Sequence, residues 1–322
     1  MRAIRVKSHG GPDVLEATEL DDPAPGPGEL LVQVAAAGVN FIDTYQRSGV
    51  YSMQLPFTPG SEGAGMVLDV GADVSGFAAG DRIAWATAPG SYAEKTVVRA
   101  DQALRIPEGV DERTAAAAAL QGMTAHYLVA STYAVREGDT ALVHAAAGGM
   151  GLLLTQLIKA RGGRVLGTVS TDEKERLARS AGADEIIRYT VDDVADSVRA
   201  LTDGRGVDVV YDGVGKDTFD ASLASLRPRG TLALFGAASG PVPPVDPQRL
   251  NSAGSVFLTR PALAHHLLDR AELDWRAGEI YGAVAAGELD VRIGATYPLA
   301  DAARAHEDLE GRRTTGKLLL LP

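Results

Sequence analysis

TALVHAAAGGMGLLLTQLIKARG, residues 140–162, is the stretch whose reading decides the fold. It begins as a short apolar strand at 141–145 and ends as a helix carrying Leu153, Leu154, Leu157 and Ile158. Between the two lies a glycine turn, Gly148-Gly149-Met150-Gly151. A strand that stops at small residues and opens a helix aims unpaired N–H groups at one point, and the helix dipole adds partial positive charge there. That point suits a phosphate. The form is A-x-x-G-x-x-G from Ala145 to Gly151, not the strict G-x-G-x-x-G. Taken alone it also fits an ordinary strand-to-helix turn, so the neighbouring sequence has to decide.

Downstream, strand and helix alternate. Strands are expected at 140–145, 164–169, 185–188, 207–212 and 231–235, with a sixth at 255–259. Helices are expected at 150–161, 172–180, 192–201 and 218–226. Successive β-α steps with strands apolar on both faces predict a doubly wound parallel sheet. Upstream the chain is β-rich, with short runs at 2–7, 15–20, 30–36, 65–70, 82–86 and 92–98 between glycine and proline turns. That pattern predicts a partly closed barrel. One helix interrupts it at 40–49, where Asn40 fits an N-cap, Asp43 the capping-box position and Gly49 the stop. Asp43 and Arg47 stand one turn apart and fit a local pair on a solvated face. The alanine-rich stretch from Asp111 reads as helical, broken near Gln121-Gly122.

The tail predicts two helices, a short strand around 291–295, a helix at 299–310 and a last strand at 316–321. That final apolar strand needs a sheet to join, and the β-rich N-terminal region offers one. The expected domains are therefore 1–122 with 261–322, and an inserted nucleotide domain at 123–260.

The chain has 322 residues, 45% hydrophobic and 23% charged, the balance of a globular protein. A net charge of −11 disfavours broad nucleic-acid binding. Zero cysteines exclude disulfides and thiolate metal sites. No apolar run reaches membrane-spanning length, and MRAIRVKSHGG reads as a strand and turn, not an export signal. The cytoplasm is the expected location, with no nucleic acid or membrane as partner.

In NAD-binding βαβ units an acidic residue ends the second strand and binds the ribose hydroxyls. Here RVLGTV runs into Ser170 and Thr171, and Asp172 fits the start of the next helix. A carboxylate would repel a 2′-phosphate, whereas Ser170 and Lys174 could bind one. Lys174 also fits an ordinary solvated helix lysine. The missing acid favours NADP over NAD. Farther on, YDGVG (211–215) and LFGAASG (234–240) place small residues at strand ends, where a flat ring can lie against backbone.

The order of GVNFIDTYQRSGVY, LPFTPGSEGAGMV, GDRIAWA, GSYAE, HAAAGGMG, YDGVG, LFGAASG, FLTRP and TTGKLLL resembles that of the zinc-independent medium-chain dehydrogenase/reductases. Within them the match is to the quinone oxidoreductase branch, which includes the zeta-crystallins, and it covers essentially the whole chain. The resemblance implies a GroES-like β domain, a Rossmann domain, NADPH in the cleft and a homodimer. It places Asn40 and Thr124 near the nicotinamide and Gly148, Gly149, Met150 and Gly151 at the pyrophosphate. By the same resemblance Ser170, Lys174 and Tyr189 would surround the adenosine phosphate, and Gly213, Phe235, Gly236, Ala237, Ser239, Phe257, Arg260 and Arg312 would complete the site.

Zinc-dependent members hold their catalytic metal with cysteine and histidine. The matching positions here are Asn40, Ser61 and one near Leu120, none a good zinc ligand, and Glu62 alone cannot hold a metal. Without a Lewis acid, a conjugated acceptor is easier to reduce than a simple ketone. The expected reaction is NADPH-dependent reduction of a quinone; reduction of an enone or 2-alkenal is the alternative, and a non-enzymatic NADPH-binding or RNA-binding protein a third. Asn40, Tyr45 and Tyr51 are the candidate donors to the acceptor, although each tyrosine equally fits aromatic packing. Histidines 126, 144, 265, 266 and 306 show no metal-ligand pattern and read as structural.

Overall fold

The computed structural model describes residues 1–322, which divide into two compact units, Met1–Met123 with Leu267–Pro322 and Thr124–His266. In chain order the first unit contains β1 (Arg2–Arg5), β2 (Glu16–Glu19), β3 (Glu29–Val39), α1 (Phe41–Ser48) and β4 (Gly63–Val70). β5 (Arg82–Trp85), β6 (Lys95–Arg99) and β7 (Leu104–Arg105) follow, and then α2 (Glu112–Tyr127), whose last turn from Thr124 on belongs to the second unit. The second unit runs through β8 (Thr140–Val143), α3 (Gly149–Ala160), β9 (Arg164–Val169), α4 (Asp172–Ser180), β10 (Glu185–Arg188) and α5 (Val194–Leu201). It continues with β11 (Val207–Asp212), α6 (Phe219–Ser225), β12 (Leu226–Leu234), α7 (Gln248–Ser252) and β13 (Phe257–Thr259). The chain then returns to the first unit with α8 (Arg270–Ala285), β14 (Ile293–Pro298), α9 (Ala302–Glu310) and β15 (Lys317–Leu321).

The second unit is a Rossmann fold. Its six strands lie in the order β10-β9-β8-β11-β12-β13, all parallel. The order reverses between β8 and β11, the switch point at which such sheets bind nucleotides. Leu142, Leu166, Ile187, Val210 and Leu232 carry the core from one strand to the next.

The first unit is GroES-like. β14, β15, β3, β4, β5 and β7 form one path, with β6 paired to β3, and β1 and β2 make a separate antiparallel ribbon. β15 joins antiparallel to β3, so the last apolar strand completes the N-terminal sheet. Its side chains Leu318 and Leu320 enter the core with Val32, Trp85 and Tyr92.

Three local expectations fail. α2 runs unbroken through Gln121-Gly122, because Gly122 serves close packing: a Cβ there would lie 2.7 Å from Ile280 of α8. The first tail helix is only a single 3₁₀ turn, Leu263–His266. Asp43 and Arg47 do not form a solvated pair, since both are buried and each takes other partners.

Candidate active site

Asn40 ends β3 and precedes α1, at the N-cap position. Asp43 stands at the capping-box position, and the Asn40 amide is also engaged by partners from distant segments. Asn40 Oδ1 accepts from Lys317 Nζ at 2.7 Å and Gln121 Nε2 at 3.2 Å. Its Nδ2 donates to Glu62 Oε2 at 2.8 Å. Lys317 also donates to Glu62 Oε2, and the Leu120 N–H donates to Glu62 Oε1 at 2.5 Å. Lys317 and Glu62 are 1% and 0% exposed, a wholly buried ion pair. Gly38 leaves room for it, since a Cβ there would fall 2.0 Å from Glu62 Oε2 and 2.9 Å from Lys317 Cε.

The three positions matched to zinc ligands thus lead to an ammonium. Ser61 is the neighbour of Glu62, and the position near Leu120 contributes a backbone N–H and the Gln121 amide. Sequence reasoning passed over Lys317 and Gln121. One signal was available: a lysine opening a strand of four leucines, KLLLL, has to find a buried anion or leave the core.

A second network holds the backbone of the same residue. Asp43 Oδ2 accepts the Asn40 N–H at 2.9 Å and the Tyr92 hydroxyl at 3.0 Å. Tyr92 Oη lies 3.1 Å from His306 Nε2, and Arg47 Nη1 lies 3.0 Å from His306 Nδ1. Arg47 also forks onto the Glu310 carboxylate at 2.9 and 3.2 Å. Burial pushes the Asp43 carboxyl up to about 7, against the pull of the Asn40 N–H and the Lys317 charge. Burial, with the Arg47 charge, pushes His306 down to about 3. These side chains belong to α1, the loop before β6, and α9, so they tie α1 to the C-terminal segment.

α1 and its following turn also carry the two candidate tyrosines. Tyr45 and Tyr51 pack edge to face, with centroids 5.4 Å apart, and the Tyr51 N–H donates to Tyr45 O at 3.0 Å. Tyr51 is 42% exposed. The structure brings both together beside Phe41, whose ring lies 6.3 Å from Tyr45.

In the Rossmann unit, α3 starts at Gly149, so the N–H groups of its first turn have no acceptors within the helix. Gly151 is required by packing: a Cβ would lie 2.4 Å from Ala145 O and 2.6 Å from Ala146 Cα. Ala145, where the strict fingerprint has its first glycine, adopts a left-handed φ of 51°. Its N–H donates to Thr168 Oγ1 at 3.2 Å, and Thr168 in turn meets His144 Nδ1 at 3.1 Å. His144 Nε2 lies 2.9 Å from Ser222 Oγ, which donates to Asp212 at 2.7 Å. His144 is therefore structural, as expected, and what it braces is the turn that precedes α3.

Asp212 ends β11 and takes the N–H groups of Val214 and Gly215 at 2.8 and 2.9 Å, shaping the YDGVG turn. Gly213 and Gly236 bring two backbones together, since a Cβ on Gly236 would stand 2.4 Å from Gly213 O. Phe235 N donates to Asp212 O at 2.9 Å, and Ala237 follows in the same loop. Ser239 spends its hydroxyl on this loop, donating to Val214 O at 2.8 Å and accepting from Asp217 N at 3.0 Å.

β9 ends at Val169, and Ser170 and Thr171 follow without a carboxylate. Thr171 caps α4 by accepting the Lys174 N–H at 3.3 Å. Asp172, the first residue of α4, forms an ion pair with Arg188. Tyr189, next to Arg188, is 43% exposed. Thr124 is buried in α2, and Phe257 is 62% exposed on β13, the edge strand of the sheet. Arg260 follows β13, and Arg312 follows α9 with φ 56°.

Residues 26–108 match the alcohol dehydrogenase GroES-like domain, and residues 149–269 match the zinc-binding dehydrogenase family. A quinone oxidoreductase of Pseudomonas aeruginosa is 47% identical over 100% of this chain and 99% of its own. A 2-haloacrylate reductase of a Burkholderia species is 41% identical over 99% and 98%. A mycobacterial protein solved in complex with NADPH superposes with a TM-score of 0.97 at 54% identity, covering all of both chains. The chain belongs to the medium-chain dehydrogenase/reductases, in their quinone oxidoreductase branch. It is an oxidoreductase by that membership.

Proposed function

We propose that the protein catalyses zinc-independent reduction of quinones by NADPH, in the balance quinone + NADPH + H⁺ → hydroquinone + NADP⁺. The observation that carries this reading is the buried cluster of Lys317, Glu62 and Asn40. Asn40 already accepts from an ammonium, Glu62 is paired with it, and Ser61 and Leu120 add no good metal donor. An acceptor reduced here has to spread incoming charge over its own conjugated system, as a quinone does. NADPH supplies the hydride when bound.

The chain fits the cofactor. The open first turn of α3, with no space for a Cβ at Gly151, suits a pyrophosphate. Ser170 and Lys174 suit a 2′-phosphate where an NAD enzyme needs a carboxylate, and Arg188 neutralises Asp172 nearby. Thr124, Gly148, Gly149, Met150, Tyr189, Gly213, Phe235, Gly236, Ala237, Arg260 and Arg312 remain assigned to the cofactor. Tyr45, Tyr51 and the Asn40 amide are assigned to the acceptor, as donors to its oxygen.

The 2-haloacrylate reductase relative favours a second reading, hydride addition to an activated alkene. Steady-state NADPH oxidation with a panel of quinones and enones tests both. Hydroquinone as product supports the first and a saturated carbonyl compound the second; no turnover with any acceptor sinks both.

The same reading includes a cytoplasmic homodimer. Phe257 supports the dimer, because a 62% exposed phenylalanine on an open edge strand fits pairing with a second copy better than a cofactor contact. Light scattering of the wild type and Phe257→Asp measures it, and a monomeric wild type removes it.

A further inference from the structure

The Asn40 side chain is held from three separate segments, two of them charged. β15 supplies Lys317, the residues before β4 supply Glu62, and α2 supplies the Gln121 amide together with the Leu120 N–H that anchors Glu62. A buried ion pair contributes little net stability, since desolvation offsets attraction, but its geometry is directional. A carboxamide has nearly the same shape in either flip. Here the flip would set Nδ2 against an ammonium and Oδ1 against a carboxylate, and both encounters are repulsive. Glu62 takes one of the two Nδ2 protons, so a single N–H of the amide is left over. The Asn40 backbone is fixed independently by Asp43.

We propose that Lys317, through its buried pair with Glu62, is a positioning residue of the reductase, locking the Asn40 amide in one orientation and so aiming its spare N–H. This rests on the quinone reductase reading, with Asn40 at the reacting end. Lys317 itself touches neither acceptor nor cofactor in this role.

Asn40 and Asn251 are the only asparagines of the chain, and Asn251 is exposed. Selective ¹⁵N-asparagine labelling therefore reports on the lock directly in the wild type. The Asn40 side-chain protons are expected to be widely separated and protected from exchange, against Asn251 as reference. An Asn40 amide that averages and exchanges like Asn251 overturns the proposal without any variant.

Lys317→Met and Lys317→Met/Glu62→Gln then separate positioning from stability. The single variant leaves Glu62 unpaired and lowers both Tm and kcat. The double variant removes both charges, regains Tm, and keeps kcat at least about tenfold below wild type with little change in KM for NADPH. Recovery of kcat together with Tm shows that the pair only stabilises, and overturns the proposal. Wild-type quinone turnover is the control for the functional reading: its absence sinks that reading, while the labelling experiment still judges the lock.

Discussion

Arg47 Nη1 lies 3.0 Å from His306 Nδ1, and since a guanidinium can only donate, His306 has to present Nδ1 as an acceptor and carry its proton on Nε2. The Nε2–H then donates to Tyr92 Oη, and the Tyr92 hydroxyl donates to Asp43. Every bond in this chain runs one way, from Arg47 to Asp43, with His306 neutral. The structure thereby gives His306 and Asp43 opposite pH dependences.

His306 falls from 6.5 to about 3 on folding. The unfolded chain therefore binds the extra proton first, and the stability this group contributes is complete above pH 6.5 and lost as pH falls toward 3. Asp43 rises from 3.8 to about 7, so its contribution is complete below 3.8 and lost as pH rises through 7. Between 3.8 and 6.5 the two oppose. His306→Gln keeps an acceptor for Arg47 and a donor for Tyr92 but cannot titrate. Its stability relative to wild type is expected to improve by up to about 1.4 kcal/mol per pH unit below 6.5. Denaturant melts at pH 8, 6 and 5 measure this; a constant difference across the series means that His306 is not held neutral.

The turn before α3, proposed to hold the pyrophosphate, makes two contrasting predictions from its small residues. Gly151→Ala drives a Cβ to 2.4 Å from the Ala145 carbonyl, which is backbone and has to shift. The cost is on the order of 1–3 kcal/mol, and NADPH affinity falls with it. Ala145→Gly relieves a left-handed alanine worth about 1 kcal/mol, offset by the greater freedom of glycine in the unfolded chain, so stability stays nearly unchanged. Fluorescence titration with NADPH and thermal melts of both variants check the contrast. Equal losses in the two would show that the Cβ clearance at Gly151 is not what shapes the turn.

The parts of the molecule set by local chemistry were readable from the sequence. Strands such as Thr140–Val143, uncharged, buried throughout and followed by small residues, announce a parallel sheet without tertiary information. The glycine turn announces the start of α3 for the same reason. KLLLL signals that Lys317 is buried, but its partner Asn40 could not be read that way, because it lies 277 residues away and only the β15–β3 pairing brings them together. Asp43 and Arg47 were misread for a related reason. Their spacing fits an exposed helical pair, and only Tyr92 and Glu310, from distant segments, turn that face inward. Gly122 shows the converse, a breaker in sequence that is a packing notch in the fold.

Lys174 and Arg188 should discriminate between NADPH and NADH in different ways. Lys174→Ala removes the charge assigned to the 2′-phosphate and should raise KM for NADPH about tenfold or more, leaving NADH within roughly twofold. Arg188→Ala touches no phosphate in this assignment, but it releases Asp172 at the start of α4 and removes one of the two arginines paired with Glu175. The unmasked Asp172 carboxylate should also weaken NADPH relative to NADH. Steady-state kinetics with both cofactors measure the ratio. A Lys174 variant that affects the two equally removes Lys174 from the phosphate site.

The tyrosine pair can be tested without disturbing its packing. Tyr45 and Tyr51 meet edge to face at 5.4 Å, and phenylalanine preserves that contact while deleting each hydroxyl. Tyr51 is 42% exposed, the more open of the two residues. Positioned proton donors contribute about 10²–10⁴-fold, so Tyr51→Phe should lower kcat with a quinone toward the lower end of that range. Tyr45→Phe, with the more enclosed ring, should cost less, and the double variant no more than the larger single effect if one hydroxyl is the donor. Tm should stay near wild type in all three, because no ring is lost. Full kcat in the double variant would leave the pair as packing alone and hand the donor role to the Asn40 amide.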